Sequence, residues 1–84
     1  MLKKTVTVKR SNVGEARPVA LLVQTASHYD SEIYIELDNK KVNAKSIMGM
    51  MAVGLYEGCE ITITSSGHDE DEAVEKIEEY LCDF

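Results

Sequence analysis

Three segments alternate apolar and polar residues strictly, and this alternation constrains the fold more than any other feature of the chain. Val6 and Val8 alternate with Thr5 and Thr7, Ile33, Ile35 and Leu37 with Tyr34 and Glu36, and Cys59, Ile61 and Ile63 with Glu60, Thr62 and Thr64. A period of two sends successive side chains to opposite faces, so each strand has one apolar face and one wet face. Such strands suit an antiparallel sheet covered by helices on one side and open to water on the other. Asp38-Asn39 supplies turn chemistry for a hairpin from the second strand into a short third strand, Lys40 to Asn43, which makes the alternating segment from Cys59 the fourth.

Helical signals fill the intervals. After a first strand over residues 2–8 and a connection over 9–14, Ala16, Val19, Ala20, Val23 and Ala26 recur at helical spacing over residues 16–28, and Pro18 is tolerated in a first turn that needs no N–H there. Ala44-Lys45-Ser46 leads into a short helix with Ser46 as its N-cap and Gly54 as its stop. Asp69-x-x-Glu72 has the form of a capping box, and Ala73, Val74, Ile77, Tyr80 and Leu81 make the apolar stripe of a terminal helix. The order is β-α-β-β-α-β-α, an α+β two-layer open-faced sandwich. With 84 residues the chain buries only about two-thirds of its unfolded surface, so residues 1–84 form a single domain with one core.

Composition narrows the function. Nine Lys and Arg against fifteen Asp and Glu leave a net charge of -6, which argues against nucleic acid or an anionic membrane as a partner. The acids gather in Asp69 to Glu79, whereas Lys3, Lys4, Lys9, Arg10 and Arg17 lie near the start, so the molecule is expected to be polarised. Cys59 and Cys82 lack metal-ligand spacing and are expected as free thiols, with no metal and no cofactor. The longest apolar run, Val19 to Val23, is too short to span a bilayer, and a cytoplasmic location is expected. So small a domain favours binding or carrying at its surface over a deep catalytic cleft.

The stretch Val13 to Pro18 turns the first strand into the first helix. Glu15, Arg17 and the free N–H groups of a helical first turn share one small volume there, which is where a protein holds an anion. A glutamate in such a place is anomalous.

Ala16-Arg17-Pro18, the block Lys41-Val-Asn-Ala-Lys-Ser-Ile-Met-Gly49 and the ending Gly67-x-Asp-Glu-x-Glu-Ala73 resemble, in register and end to end, the HPr family of phosphocarrier proteins. The resemblance implies the same β-α-β-β-α-β-α sandwich, with sheet order 1-4-2-3 and three helices on one face. It also implies a histidine immediately before Ala-Arg-Pro that passes a phosphoryl group from enzyme I of the sugar phosphotransferase system to sugar-specific enzyme II components. That position here is Glu15, and His28 and His68 fall at unrelated places. The family pattern of glycine and then an aliphatic residue before the histidine is also replaced, by Val13-Gly14. A neutral imidazole accepts a phosphoryl group that arginine and a helix N-terminus then stabilise, and a carboxylate offers no equivalent. Glu15 is expected to pair with Arg17 or cap the helix as a fixed negative charge; the plainer reading is a solvated glutamate.

The resemblance implies a second site. In HPr of low-GC Gram-positive bacteria, the serine of Lys-Ser-Ile-Met-Gly is phosphorylated by HPr kinase/phosphorylase, and that serine is Ser46 here. A phosphate is favoured at a helix N-cap, although residue type alone reads Ser46 as a simple cap. Ile47, Met48 and Met51 follow at spacings that cannot all face the core of a short helix, and exposed methionines make an adaptable docking patch, with Met50 left to the core. In the family this surface, together with the helix carrying Arg17, meets the kinase and a CcpA-type transcription regulator. The expected contact set is Glu15, Arg17, Ala20, Ile47, Met48 and Met51. The strings from Lys40 to Gly49 and from Glu75 to Tyr80, with the histidine missing and the serine kept, are similar to the catabolite-repression branch of the family, which carries glutamine at the Glu15 position. The leading expectation is a non-enzymatic regulator, phosphorylated on Ser46 and acting as corepressor. The alternatives are a phosphocarrier of the sugar phosphotransferase system that uses Glu15 or another residue, and an unmodified interaction module self-associating as a homodimer through its first strand.

Overall fold

The computed structural model describes residues 1–9 and 16–82, with Ala16 described by its backbone alone. The elements run β1 (Leu2–Thr7), α1 (Ala16–Ser27), β2 (Glu32–Leu37), β3 (Lys40–Asn43), α2 (Ile47–Val53), β4 (Glu60–Ser66) and α3 (Glu70–Cys82). One four-stranded sheet has the order β1-β4-β2-β3, and every pair is antiparallel. The predicted architecture is thereby met, with the helices packed over the apolar face.

Register follows from the alternation. Val6 stands opposite Ile61, and Ile63 opposite Ile35, so the branched side chains of three strands meet on one face. Leu22, Met50, Ile77 and Leu81 from the three helices are fully buried with Ile33, Ile35, Ile61 and Ile63 in a single core. On the other face Thr5 and Thr62 bring their hydroxyls to 3.4 Å, and Lys41 Nζ lies 5.0 Å from the centroid of the Tyr34 ring. The β2–β3 hairpin turns at Asp38-Asn39 with Asp38 in the left-handed region at φ 56°.

Several details differ from the expectation. Strand β1 stops at Thr7 rather than residue 8, although Val8 still donates to Cys59 O at 2.8 Å and accepts from Gly58 N at 2.7 Å. Helix α1 ends at Ser27 rather than residue 28, where His28 N–H bonds back three residues to Thr25 O. Its core stripe is Val19, Leu22, Val23 and Ala26, and Ala20 is exposed. Leu22 completes the i, i+3, i+4, i+7 set and buries far more apolar area than Ala20 does. Thr64 points to the open face as expected yet is buried, because β4 is central and Lys3 and Tyr34 stand opposite it on either side.

The capping box at Asp69-x-x-Glu72 forms differently. The Asp69 carboxylate reaches across the chain to Asp30 and Ser31, and the reach-back bond of the helix is made by Glu70 Oε1, which accepts Gly67 N–H at 3.2 Å. The competing long-range donors win because Gly67 brings the two loops together: a Cβ on Gly67 would lie 2.8 Å from Ser31 Cα. Stripe residues Ala73, Val74, Ile77 and Leu81 are buried as predicted, and half-buried Tyr80 donates its hydroxyl to Pro18 O at 2.8 Å, tying α3 to the first turn of α1.

Candidate functional site

Ser46 sits where β3 gives way to α2. Asn43 organises the approach: its Oδ1 accepts Lys45 N–H at 2.8 Å and its carbonyl accepts Ser46 N–H at 3.0 Å. Ala44 N–H, donating to Ile33 O at 2.9 Å, anchors the same segment to the sheet. Ser46 then adopts extended backbone angles, φ -106° and ψ 115°, and its Oγ accepts Gly49 N–H at 3.1 Å. This is N-cap geometry, and Gly54 closes the helix in the left-handed conformation at φ 73°.

The two faces of α2 are chemically distinct. Met50 and Val53 are buried, while Ile47, Met48 and Met51 are exposed, Met48 to 84%. Helix α1 packs on α2 and presents Arg17, Ala20 and Leu21 to solvent. Arg17 makes no ion pair among the described residues. Ser46 itself is half-buried, with its hydroxyl beside the exposed Ile47 and Met48. The arrangement offers one modifiable hydroxyl at the edge of an apolar surface. Glu15, with the rest of the Val13–Gly14 approach, lies outside the described residues, so neither its pairing with Arg17 nor its capping of α1 is described.

Lys45 is committed elsewhere. Its Nζ donates to Tyr29 O at 2.6 Å, linking the residue before Ser46 to the segment that follows α1. Leu21, 45% exposed, escaped the sequence reading, although the pair Leu21-Leu22 signals that one leucine must face away from the core.

A separate cluster joins the loop after α1 to the loop before α3. The Asp69 carboxylate accepts Asp30 N–H at 2.9 Å, Ser31 N–H at 3.0 Å and the Ser31 hydroxyl, and these bonds, led by the hydroxyl, hold its pKa down to about 2. His68 stands beside Asp30 and Asp69, its Nε2 3.2 Å from Asp30 Oδ2. Sequence reading set His68 aside because it lies far along the chain from the carrier position, and its neighbour Asp30 belongs to another loop. Cys59 is buried, Cys82 is half-buried, and both are free. Among the described residues no helix is long and apolar enough to cross a membrane.

The PTS-HPr family model, the PTS HPr component phosphorylation site, matches residues 2–83. The HPr-like protein Crh of Halalkalibacterium halodurans is 51% identical over 77 residues, covering 92% of each chain. The phosphocarrier protein HPr of Bacillus anthracis superposes with a TM-score of 0.92 at 46% identity, covering 95% of both chains. Crh of Bacillus subtilis, crystallised as an intertwined dimer with a swapping domain, superposes with a TM-score of 0.75 at 43% identity over 90% of this chain and 83% of that one.

Proposed function

The chain belongs to the HPr family, and from that premise we propose that it is a Crh-like regulator rather than a carrier: Ser46 receives a phosphoryl group from an HPr kinase/phosphorylase, and the phosphoprotein serves a CcpA-type regulator as corepressor in carbon catabolite repression. The observation that carries this reading is the Ser46 hydroxyl at the head of α2, flanked by the exposed Ile47 and Met48. In the transfer a bond forms from Ser46 Oγ to the γ-phosphorus of ATP as the bond to the β,γ-bridging oxygen breaks, and the hydroxyl proton passes to a base of the kinase. The Gly49 N–H that now bonds Oγ is placed to bond a phosphate oxygen instead, so the modification needs no refolding of the cap. Ile47, Met48 and Met51, with Arg17 and Ala20 on α1, supply the docking surface, and unbranched methionine adapts to more than one partner.

Glu15 at the carrier position argues against relay of phosphate from enzyme I. Incubation with the kinase and ATP tests the proposal: a gain of one phosphate on wild type and none on Ser46→Ala is expected, and an equal gain on both overturns it. Incubation with phosphoenolpyruvate and enzyme I is expected to leave the protein unlabelled; label on wild type that Glu15→Ala abolishes supports the carrier reading instead.

A further reading concerns assembly. Strand β1 is an edge of the sheet, paired only with β4, and Crh of Bacillus subtilis forms an intertwined dimer. We infer that this chain reaches a homodimer in the same class, by exchanging or pairing its first strand. Light scattering across a concentration series checks it, and a monomer throughout excludes it.

A further inference from the structure

The loop after α1 and the loop before α3 bring together three side chains that the regulatory reading leaves unused. One donor atom each from Asp30, His68 and Asp69 lies within 4.8 Å of the other two, the one such group among the described residues. Asp30 and His68 are exposed, and Asp69 is mostly shielded.

We propose that Asp30, His68 and Asp69 bind a divalent transition-metal ion of the zinc class, with one imidazole nitrogen and two carboxylate oxygens as protein ligands and water completing the shell. The donor set selects the class. Imidazole suits zinc, cobalt and nickel, whereas magnesium and calcium take oxygen ligands throughout.

Hydrogen-bond accounting favours a cation here. An ionised carboxylate has about four lone-pair sites. Oδ1 of Asp69, the oxygen 3.8 Å from His68 Nδ1, accepts Ser31 N–H and the Ser31 hydroxyl, and Oδ2 accepts Asp30 N–H, which leaves one site open on Oδ2. Those three donors orient the carboxylate as outer-shell partners orient a metal ligand. His68 has Nε2 3.2 Å from Asp30 and Nδ1 3.8 Å from Asp69, so each ring nitrogen faces a carboxylate. A metal ion on one of those nitrogens turns this apposition into shared ligation.

The frame around the site is fixed. The Asp69 bonds and the close approach of Gly67 to Ser31 lock the two loops against each other, so binding costs little ordering there. Asp30, with its side chain 88% exposed, is free to rotate its carboxylate inward to ligand distance.

Calorimetric titration of the whole chain with Zn²⁺ near pH 7.5, under reducing conditions, tests the proposal. Saturable one-to-one binding is expected, with affinity falling at least about tenfold in Asp30→Asn and in His68→Gln. Cys82→Ser is expected to bind as wild type does. Failure to saturate by about 1 mM overturns the proposal, as does an affinity in His68→Gln within about twofold of wild type. A loss of binding confined to Cys82→Ser also overturns it, since the thiol is then the ligand. Amide resonances around 30 and 67–70 are expected to shift on binding, and shifts confined to the acidic face of α3 count against the site.

Discussion

Asp69 and Ser31 are joined twice, through the Ser31 backbone N–H at 3.0 Å and through the Ser31 hydroxyl, although they lie 38 residues apart. This pair fastens the start of α3 to the start of β2. Because those bonds exist only in the folded chain, they make Asp69 a contributor to acid stability, beside Glu70, whose carboxyl the Gly67 N–H also holds below its usual range.

The sign of that dependence follows from the shift. Folding lowers the Asp69 pKa from 3.8 to about 2, so the unfolded chain binds the proton more tightly than the folded chain does. The stabilisation is complete above about pH 4 and is lost as pH falls through about 2. Urea midpoints for wild type are expected to drop between about pH 5 and pH 2.5. In Asp69→Asn, less stable at the upper pH, the drop is expected to be smaller; an unchanged drop refutes the assignment.

The Tyr80 hydroxyl donates to Pro18 O and is the clamp between the two longer helices. Tyr80→Phe is expected to cost about 0.5–1.5 kcal/mol by urea unfolding, the ordinary worth of one intramolecular hydrogen bond.

Methionines of α2 separate stability from recognition. Met50→Ala, at a fully buried site, is expected to cost about 2–5 kcal/mol. Met48→Ala is expected to change stability by under about 0.5 kcal/mol while weakening binding of the phosphoprotein to its regulator by at least about tenfold. Equal regulator affinity for Met48→Ala and wild type removes Met48 from the docking surface.

Ser46 carries both a cap and the proposed modification. Ser46→Ala is expected to cost about 0.5–2 kcal/mol through loss of the bond from Gly49 N–H. Ser46→Asp keeps an acceptor at the N-cap and is expected to restore stability to near the wild-type value without accepting phosphate from the kinase. Thermal unfolding and intact mass measure the two effects separately.

Gly67→Ala places a Cβ 2.8 Å from Ser31 Cα, a clash with backbone that no rotamer relieves. A loss of about 1–3 kcal/mol is expected, together with faster amide exchange at Asp30 and Ser31 as their bonds to Asp69 open.

The strands were legible because period-two alternation is a local signal, and the cap at Ser46 and stop at Gly54 were legible because they are written in adjacent residues. What failed was non-local. Asp69 carries the pattern of a helix cap, and only the folded chain shows that Asp30 and Ser31 compete for it. Ala20 fits a helical stripe as well as Leu22 does on spacing alone, and packing volume decides between them. The exposed side of α2 followed from its shortness, because a helix from Ile47 to Val53 cannot bury every apolar residue it holds. The neighbourhood of His68 was invisible in sequence, since the carboxylates on either side of it come from two loops.

The bond from Lys45 Nζ to Tyr29 O bears on how a phosphorylated Ser46 is read. The adjacent ammonium is tethered by a carbonyl whose loss would loosen the end of α1, while its charge and two further N–H groups remain. On a chain of net charge -6, the proposed phosphate would add a charge of about -1.5 to -2 beside an apolar patch, with that tethered ammonium next to it in sequence. A partner surface that brings its own cations is then expected to supply most of the charge balance, and recognition becomes a question put to the partner's arginines and lysines.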